Sequence, residues 1–422
     1  MKYGVTGLQQ NKMPKIKSIT CQKILNSRGD WTIETKVTLD DGSEGVQAIP
    51  DGASKGENEA VYIPVERAVD IVSTAINDVL EGEDPTEQFV IDQILLDMDG
   101  TTNKKHLGGN SILSVSLAVA KASAQSKKME LYEYLARLYA PKKDPNTKLK
   151  FPVPVFNIIN GGLHSHNGLS FQEFMAIPSP TLPFDKALEM GVVVYHNLKE
   201  ILIKDGLDVD VGDEGGFAPN NLTVSKALQY ISKAASQSYK LGDQIFMGMD
   251  VAAGSFYMHN SYLIKEEKKT FDSDKMSQMY VDLITTYPII YLEDPFYEGD
   301  AEAWAKFTKS VGSRLMVVGD DLVVTNPKFL KSAVDRKLAN AVIVKPNQVG
   351  TLSETFEFIR NAQKAGMKII VSHRSGETGE DTFIADLSLA VGADFIKSGA
   401  PVRGERVVKY NRLLQIFNAH NK

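Results

Sequence analysis

The sequence predicts a parallel (β/α) barrel preceded by a smaller α+β unit. Between Phe246 and Arg406, six short apolar runs each end in a charged or polar side chain. Amphipathic segments separate these runs, and their apolar residues recur every three or four positions, as in helices that pack on a core. Successive charged ends lie roughly 25 to 45 residues apart, the length of one strand and one covering helix. This alternation is typical of a barrel.

Charged side chains mark the carboxyl ends of these six runs. They are Asp250, Glu293, Asp320 with Asp321, Lys345, His373 with Arg374 and Ser375, and Lys397. Each aspartate, taken alone, could simply be the N-cap of the next helix. Loops after barrel strands build active sites, and carboxylates and lysines gathered there need a divalent cation and an anionic substrate to neutralise them. We therefore predict the active site at this end of the barrel.

The N-terminal part of the chain has strand patterns followed by helix patterns. Alternating β-forming residues over 16–50, with a turn at 40–42, predict a hairpin. The stretch 50–60 is rich in glycine and lacks apolar periodicity, which predicts a mobile surface loop. Helical periodicity dominates residues 64–139, and the Pro- and Lys-rich stretch 140–150 is typical of a linker.

The barrel pattern begins irregularly. The runs FPVPVFNIINGG and LSFQEFMAIP have no helix between them, so we expect them to pair as an antiparallel hairpin. Two helical segments follow, separated by the glycine-rich VGDEGGFAPN. This order predicts a barrel of form β2α2(βα)6. We expect an N-terminal α+β capping domain over residues 14–147 and a barrel domain with the active site over residues 148–422.

The composition excludes several classes of protein. The 422 residues are 24% charged and 43% hydrophobic, with a net charge of −6, as in an ordinary soluble protein. A mildly acidic chain without clustered Lys and Arg is not expected to bind nucleic acid. The single cysteine, Cys21, rules out an intrachain disulfide and favours the reducing cytoplasm. We expect no signal peptide and no membrane span, because no apolar run has the necessary length.

A series of motifs, in this order along the chain, resembles those of the enolase family. They are SRGD, PDGASKGENEA, FNIINGGLHSHNGLSFQEFM, VGDEGGFAP, GMDVAA, YLEDPF, VGDDLVVTNP, VKPNQVGTLSET, VSHRSGET and IKSGAPVRGERVVKYNRLLQI. The resemblance covers the chain from about Ile16 to Phe417. It implies reversible dehydration of 2-phosphoglycerate to phosphoenolpyruvate in glycolysis and gluconeogenesis. It also implies a homodimer, or an octamer assembled from dimers.

The resemblance further implies which residues perform the chemistry. The ligands of a tightly bound Mg²⁺ would be Asp250, Glu293 and Asp320, and carboxylate oxygens suit this hard cation. Lys345 resembles the base that removes the proton from C2 of the substrate, which requires a lowered pKa. We expect magnesium and a neighbouring lysine to lower it. Glu214 resembles the general acid that helps the C3 hydroxide to leave.

Substrate binding is assigned by the same resemblance to His164, Gln172, Glu173, His373, Arg374, Ser375 and Lys397. Lys397 and Gln172 resemble the residues that hold the substrate carboxylate. Arg374 and Ser375 resemble those that hold the phosphate, since a planar guanidinium and a hydroxyl suit phosphate oxygens. Glu173 would be the hydrogen-bonding partner of the general acid, and the two histidines would line the phosphate side when loops close.

One motif departs from the family pattern. The loop usually reads PSGAST, and its first serine binds a second magnesium ion that arrives with the substrate. Here it reads PDGASK, with Asp51 in place of that serine and Lys55 in place of the threonine. Asp51 is therefore a candidate ligand of the second metal ion.

Two other functions remain as alternatives. One is an enolase-superfamily reaction on another carboxylate substrate, against which the Arg374 and Ser375 pair and the two glutamates argue. The other is a catalytically weakened enolase-like binding protein, for instance at a cell surface. The altered loop supports this second alternative, whereas the complete set of proton-transfer residues argues against it.

Overall fold

The computed structural model of the chain describes residues 13–52, 58–142, 144 and 147–421. The predicted linker and the predicted mobile loop are thus described only in part, and Lys55 lies outside the described residues. None of the described helices is long and apolar enough to cross a membrane.

The N-terminal part opens with an antiparallel sheet of β1 (Ile16–Leu25), β2 (Trp31–Leu39) and β3 (Glu44–Ala48). β2 pairs with both neighbours, and the predicted turn at 40–42 joins β2 to β3. Alternate residues of β2 are buried, because one face of the sheet packs on helices. The predicted hairpin is present, and β1 extends it to three strands.

Five helices follow, namely α1 (Val65–Ile71), α2 (Asn77–Leu80), α3 (Gln88–Asp99), α4 (Gly109–Ser126) and α5 (Leu131–Tyr139). A π-helical segment joins α1 to α2 without a break. The backbone of Lys128 has φ +53°, which a right-handed helix does not accommodate, so the last part of the helical pattern predicted over 64–139 is divided into α4 and α5. Helix α4 packs closely on β3: a Cβ on Gly45 would lie 2.0 Å from the carbonyl oxygen of Ala118.

The C-terminal part contains eleven strands. They are β4 (Val153–Asn160), β5 (Glu173–Pro178), β6 (Ile245–Asp250), β7 (Tyr257–Met258), β8 (Ser261–Ile264), β9 (Lys269–Phe271), β10 (Ile289–Glu293), β11 (Met316–Gly319), β12 (Ala341–Val344), β13 (Lys368–Ser372) and β14 (Phe395–Lys397). Strands β7 to β9 form a small separate sheet. The other eight close a barrel in the order β4, β5, β6, β10, β11, β12, β13, β14.

The helices of this part are α6 (Phe184–Lys204), α7 (Val224–Ser236), α8 (Ser273–Thr286), α9 (Ala301–Val311), α10 (Pro327–Asp335), α11 (Pro346–Val349), α12 (Leu352–Lys364), α13 (Phe383–Ala390) and α14 (Gly404–His420). β5 is antiparallel to β4 and β6, whereas the remaining pairs are parallel. Two strands, two helices and six strand–helix units follow one another, which confirms the predicted β2α2(βα)6 order.

The barrel interior is packed with apolar side chains, namely Val155, Met175, Ile177, Tyr291, Val318, Ala341, Ile343, Ile370 and Phe395. Because this core fills the interior, a ligand can bind only at a barrel end. The N-terminal part is joined to the barrel helices by buried polar contacts. The backbone nitrogen of Ser353 donates to Asp92 Oδ2 over 2.9 Å, and that of Leu352 donates to Ser116 Oγ over 3.0 Å.

Candidate active site

The predicted strand-end residues do converge at one mouth of the barrel. Asp250 and Glu293 end the adjacent strands β6 and β10 and are paired in register, and Asp320 follows β11. The helices after these strands are capped by other side chains, namely Asp272, Asp300 and Asn326. The N-cap interpretation is therefore wrong for these three carboxylates.

The loops at this mouth enclose a cleft with about 550 Å³ of empty space, part of it open to solvent. Most of the predicted site residues line it, namely His164, Gln172, Glu173, Glu214, Asp250, Asp320, Lys345, His373, Arg374, Ser375 and Lys397. Glu293 is fully buried next to Lys397. The cleft reaches Gly52, the neighbour of Asp51.

Three carboxylates and two lysines form one side of the cleft, which we call the carboxylate–lysine side: Asp250, Glu293, Asp320, Lys345 and Lys397. Lys397 extends from β14 across the mouth, and its Nζ lies 3.0 Å from Asp250 Oδ2 and 3.0 Å from both carboxylate oxygens of Glu293. Gln172 Nε2 also donates to Asp250 Oδ2, over 3.2 Å. The ammonium group thus lies between two buried carboxyl groups.

Lys345 forms an ion pair with Asp320. Burial alone would lower the pKa of Lys345, but the Asp320 carboxylate outweighs burial and raises it. The predicted lowering of the lysine pKa depends on a bound cation and stays a prediction. A positive charge that engages Asp320 would reverse this balance, because the carboxylate would then stabilise the ammonium less.

The carboxylate–lysine side has the chemistry of a divalent cation site. Burial and the negative charge of Asp250 raise the pKa of Glu293 to about 8. The carboxylates of this cluster would therefore be more stable in their ionised form with a cation beside them. All the candidate donors are carboxylate oxygens, which hard cations prefer. Within the described residues, Asp294, Asp320 and Asp321 form an acidic group whose ligand-type atoms lie within 4.8 Å of one another.

Asp294 is a buried residue that the sequence analysis missed. Its carboxylate accepts hydrogen bonds from the backbone nitrogens of Asp320, over 3.0 Å, and of Asp321, over 2.8 Å. Its own backbone has φ +40°, which directs the chain away after β10. Asp294 therefore orients the loop that carries Asp320. Its signals in the sequence were its position after Glu293 and its place in the motif YLEDPF.

The opposite side, which we call the carboxylate–histidine side, consists of His164, Glu173, Glu214 and His373. Glu173 begins β5, which lies across the barrel from β12, the strand before Lys345. The glycine-rich loop with Glu214 is held to β4 by a bridge between Ile159 and Phe217. Asn157 on β4, another residue that the sequence analysis missed, donates to Glu214 Oε2 over 3.0 Å.

The two glutamates differ in their ability to hold a proton. Burial, reinforced by the negative charge of Glu214, raises the pKa of Glu173 well above its ordinary value. Burial also acts on Glu214, yet His164 and His373 hold its pKa well below the ordinary value. Their rings lie 3.7 Å and 3.3 Å from its oxygens. Oxygens of Glu173 and Glu214 lie within 4.8 Å of each other, so the two groups titrate as a pair, and a proton bound by the pair lies mainly on Glu173.

Comparisons with known proteins agree with this geometry. Residues 16–135 match the family model described as the enolase N-terminal domain, and residues 148–421 match the one described as the enolase C-terminal TIM barrel domain. The enolase of Mycobacteroides abscessus is 45% identical over 416 residues, which cover 96% of this chain and 94% of that protein. The chain belongs to the enolase family. Membership implies a divalent metal ion, which the donors of the carboxylate–lysine side fit.

The residues that resemble the enolase phosphate site are held by neighbours that lie in the quoted motifs but to which the sequence analysis assigned no role. Arg374 Nη1 lies 2.9 Å from Glu59 Oε2 and 3.3 Å from Asn347 Oδ1. Arg28 Nη1 donates to Ser375 Oγ over 3.3 Å. Glu59 therefore occupies donors of Arg374 that an anion could use.

Asp51, the departure from the enolase motif, lies against this region. Its backbone exchanges two hydrogen bonds with Gly376, of 2.9 Å and 2.8 Å. A Cβ on Gly376 would lie 2.8 Å from the carbonyl oxygen of Asp51, so only glycine permits this approach. The N-terminal loop is thereby joined to the segment of Arg374 and Ser375.

Proposed function

We propose that the chain catalyses the reversible dehydration of 2-phosphoglycerate to phosphoenolpyruvate, as a carbon–oxygen hydro-lyase. One observation carries the proposal: Lys345 lies on one side of the cleft, and Glu173 and Glu214 lie on the opposite side. Removing a proton from C2 and hydroxide from C3 requires a base and an acid on different sides of the substrate. No feature of the comparisons favours another carboxylate substrate or a binding protein without activity.

Magnesium is the proposed cation, with Asp250, Glu293 and Asp320 as its ligands. When bound, the ion supplies positive charge that stabilises the doubly charged, deprotonated form of the substrate carboxylate. Lys397 and Gln172 both contact the proposed ligand Asp250. From there, both side chains can also donate to the carboxylate of the substrate.

Lys345 is the proposed base, and Glu214 with Glu173 the proposed acid. Lys345 takes the C2 proton once Asp320 no longer stabilises its ammonium form. The proton shared by the glutamates passes to the leaving hydroxide from Glu214, the member nearer to both histidines. The buried cleft favours these transfers, because few water molecules compete for the proton.

Phosphate binding is proposed for Arg374 and Ser375, with His164 and His373 on the same side. Glu59 then acts as the counter-charge that orients Arg374 until the phosphate arrives. Asp51 is the proposed ligand of a second magnesium ion, which would link the substrate phosphate to the N-terminal loop. A cation between Asp51 and the phosphate lies nearer to each anion than they lie to each other, so attraction exceeds repulsion.

The remaining features are proposed from membership in the family. We propose a homodimer, or an octamer built from dimers, and a cytoplasmic location. The division into domains over 14–147 and 148–422 stays a prediction.

The proposal is tested by turnover of the purified full chain with 2-phosphoglycerate and Mg²⁺, followed by the absorbance of phosphoenolpyruvate. We expect saturable turnover that stops when a chelator is added in excess and returns with Mg²⁺. A chain that binds 2-phosphoglycerate without turnover would contradict the proposal and favour the binding protein. Full turnover in excess chelator would contradict the metal assignment alone.

A further inference from the structure

Arg406, at the start of α14, is fully buried beside the carboxylate–histidine side. Its Nη1 lies 2.6 Å from His373 Nδ1 and donates to the carbonyl oxygen of Arg374 over 2.6 Å. Its Nη2 donates to the carbonyl oxygens of Asp213, over 3.1 Å, and of Ser375. One guanidinium thus joins two loops, that of Asp213 and that of Arg374 and Ser375, to a single ring nitrogen.

The contact with His373 defines which ring nitrogen carries the proton. A guanidinium has only donors and does not lose its proton in proteins, so Nδ1 of His373 must accept. Burial lowers the pKa of His373 to about 3, so the ring is neutral at pH 7 and has one N–H. That N–H is then on Nε2, which faces Glu214 Oε1 at 3.3 Å and lies among the residues that line the cleft.

The local backbone is shaped around this contact. Gly399 has φ +78°, and a Cβ there would lie 3.1 Å from Cδ of Arg406 and 3.2 Å from Cε1 of His373. The backbone of His373, which follows β13, is also held by the neighbouring strand β14, since its nitrogen donates to the carbonyl oxygen of Lys397 over 3.0 Å. Glycine at position 399 therefore leaves the room that the arginine and the imidazole need to meet.

We propose that Arg406 is a positioning residue that sets the tautomer of His373, so that Nε2 always presents an N–H to Glu214 and to bound substrate. In this tautomer His373 cannot accept a proton from the cleft. The ring instead stabilises negative charge on Glu214 or on a substrate oxygen. The transferable proton on this side of the cleft then belongs to the glutamate pair. This catalytic consequence rests on the proposed function, whereas the tautomer itself does not.

The tautomer can be measured by long-range ¹H–¹⁵N spectra of the full chain labelled at histidine, with the His373 signals assigned by their loss in His373→Asn. In the parent chain we expect an unprotonated Nδ1 and a protonated Nε2. Arg406→Lys retains a donor and is expected to keep this pattern. Arg406→Met removes the donor and is expected to give a mixture of tautomers, as the protonated Nδ1 is no longer excluded.

Arg403→Met is the matched control, because Arg403 lies three residues earlier and its Nε lies 2.8 Å from Glu405 Oε1, an oxygen that is also 3.6 Å from Arg406 Nε. It should leave the His373 signals unchanged. In the turnover assay we expect Arg406→Met to lower kcat at least about tenfold with a smaller change in KM, and Arg406→Lys to restore most of it.

A proton on Nδ1 in the parent chain would overturn the proposal, and so would an unchanged tautomer in folded Arg406→Met. If Arg406→Met does not fold, the spectra of the parent chain and of Arg406→Lys decide alone. A chain that has the expected tautomer but does not dehydrate 2-phosphoglycerate would contradict the proposed function and leave the role of Arg406 intact.

Discussion

The two sides of the cleft hold buried carboxylates with different partners. On the carboxylate–lysine side the partners are ammonium groups, which remain charged at neutral pH. On the carboxylate–histidine side Lys397 is shared, with Nζ 3.2 Å from Glu173 Oε1, but the other close partners are neutral imidazoles. Permanent charges suit the binding of an ion, whereas neutral polar partners allow a proton to move between carboxylates.

Residue type alone does not determine the role of a buried acid on either side of the cleft. Burial acts on the carboxylates of both sides in the same direction and raises the pKa. The neighbouring side chains decide the outcome. Lys345 lowers the pKa of Asp320, whereas the pKa of Glu173, which has Glu214 beside it, stays raised.

Lys345→Ala is expected to have the largest effect on turnover, because it removes the proposed base. We expect kcat to fall by about ten-thousand-fold, the upper range for one acid–base group. Lys331→Ala, which changes an exposed lysine on α10, is the matched control and should retain full activity. A loss of less than about tenfold in Lys345→Ala would show that another residue is the base.

Asp320→Asn is expected to weaken metal binding on the carboxylate–lysine side only. Mutation of a group that only orients a metal ligand lowers metal affinity about 10- to 100-fold, so the loss of a charged ligand should lower the affinity for Mg²⁺ at least as much. Calorimetric titration with Mg²⁺ measures this without turnover, and Asp335→Asn on the surface serves as the control. Unchanged affinity in Asp320→Asn would contradict the ligand assignment.

Asp51→Ser is expected to have the smallest effect, because the gain of metal attraction and the loss of phosphate repulsion oppose each other. We expect the Mg²⁺ concentration for half-maximal activity to rise about fivefold, which corresponds to about 1 kcal/mol. Asp41→Ser, in the turn between β2 and β3, should behave like the parent chain. An inactive parent that Asp51→Ser turned into an efficient enzyme would instead favour the binding protein.

Much of the carboxylate–lysine side was predictable from sequence. A charged residue at the end of a buried parallel strand must lie at the barrel mouth, so Asp250, Glu293 and Lys397 could be grouped before any geometry was known. The ion pair between Lys345 and Asp320 was not predictable, because it depends on side-chain reach between two neighbouring strands. That ion pair also raises the pKa of Lys345, whereas the expected lowering depends on a bound cation.

The carboxylate–histidine side was less accessible to sequence reasoning. Its members come from β5, two loops and β13, and their contacts depend on the antiparallel register of the first two barrel strands. Arg406, Asn157 and Glu59 contact site residues that are between 33 and 315 positions away. No local periodicity encodes contacts over such separations.

The central claim is that the two sides perform separate proton transfers. Exchange of the C2 proton of 2-phosphoglycerate with deuterated solvent, measured alongside net dehydration, tests it most directly. In Glu214→Gln we expect dehydration to fall by about a hundred-fold or more while C2 exchange continues, whereas Lys345→Ala should abolish both. Equal loss of exchange in the two variants would contradict the division of the cleft into two sides.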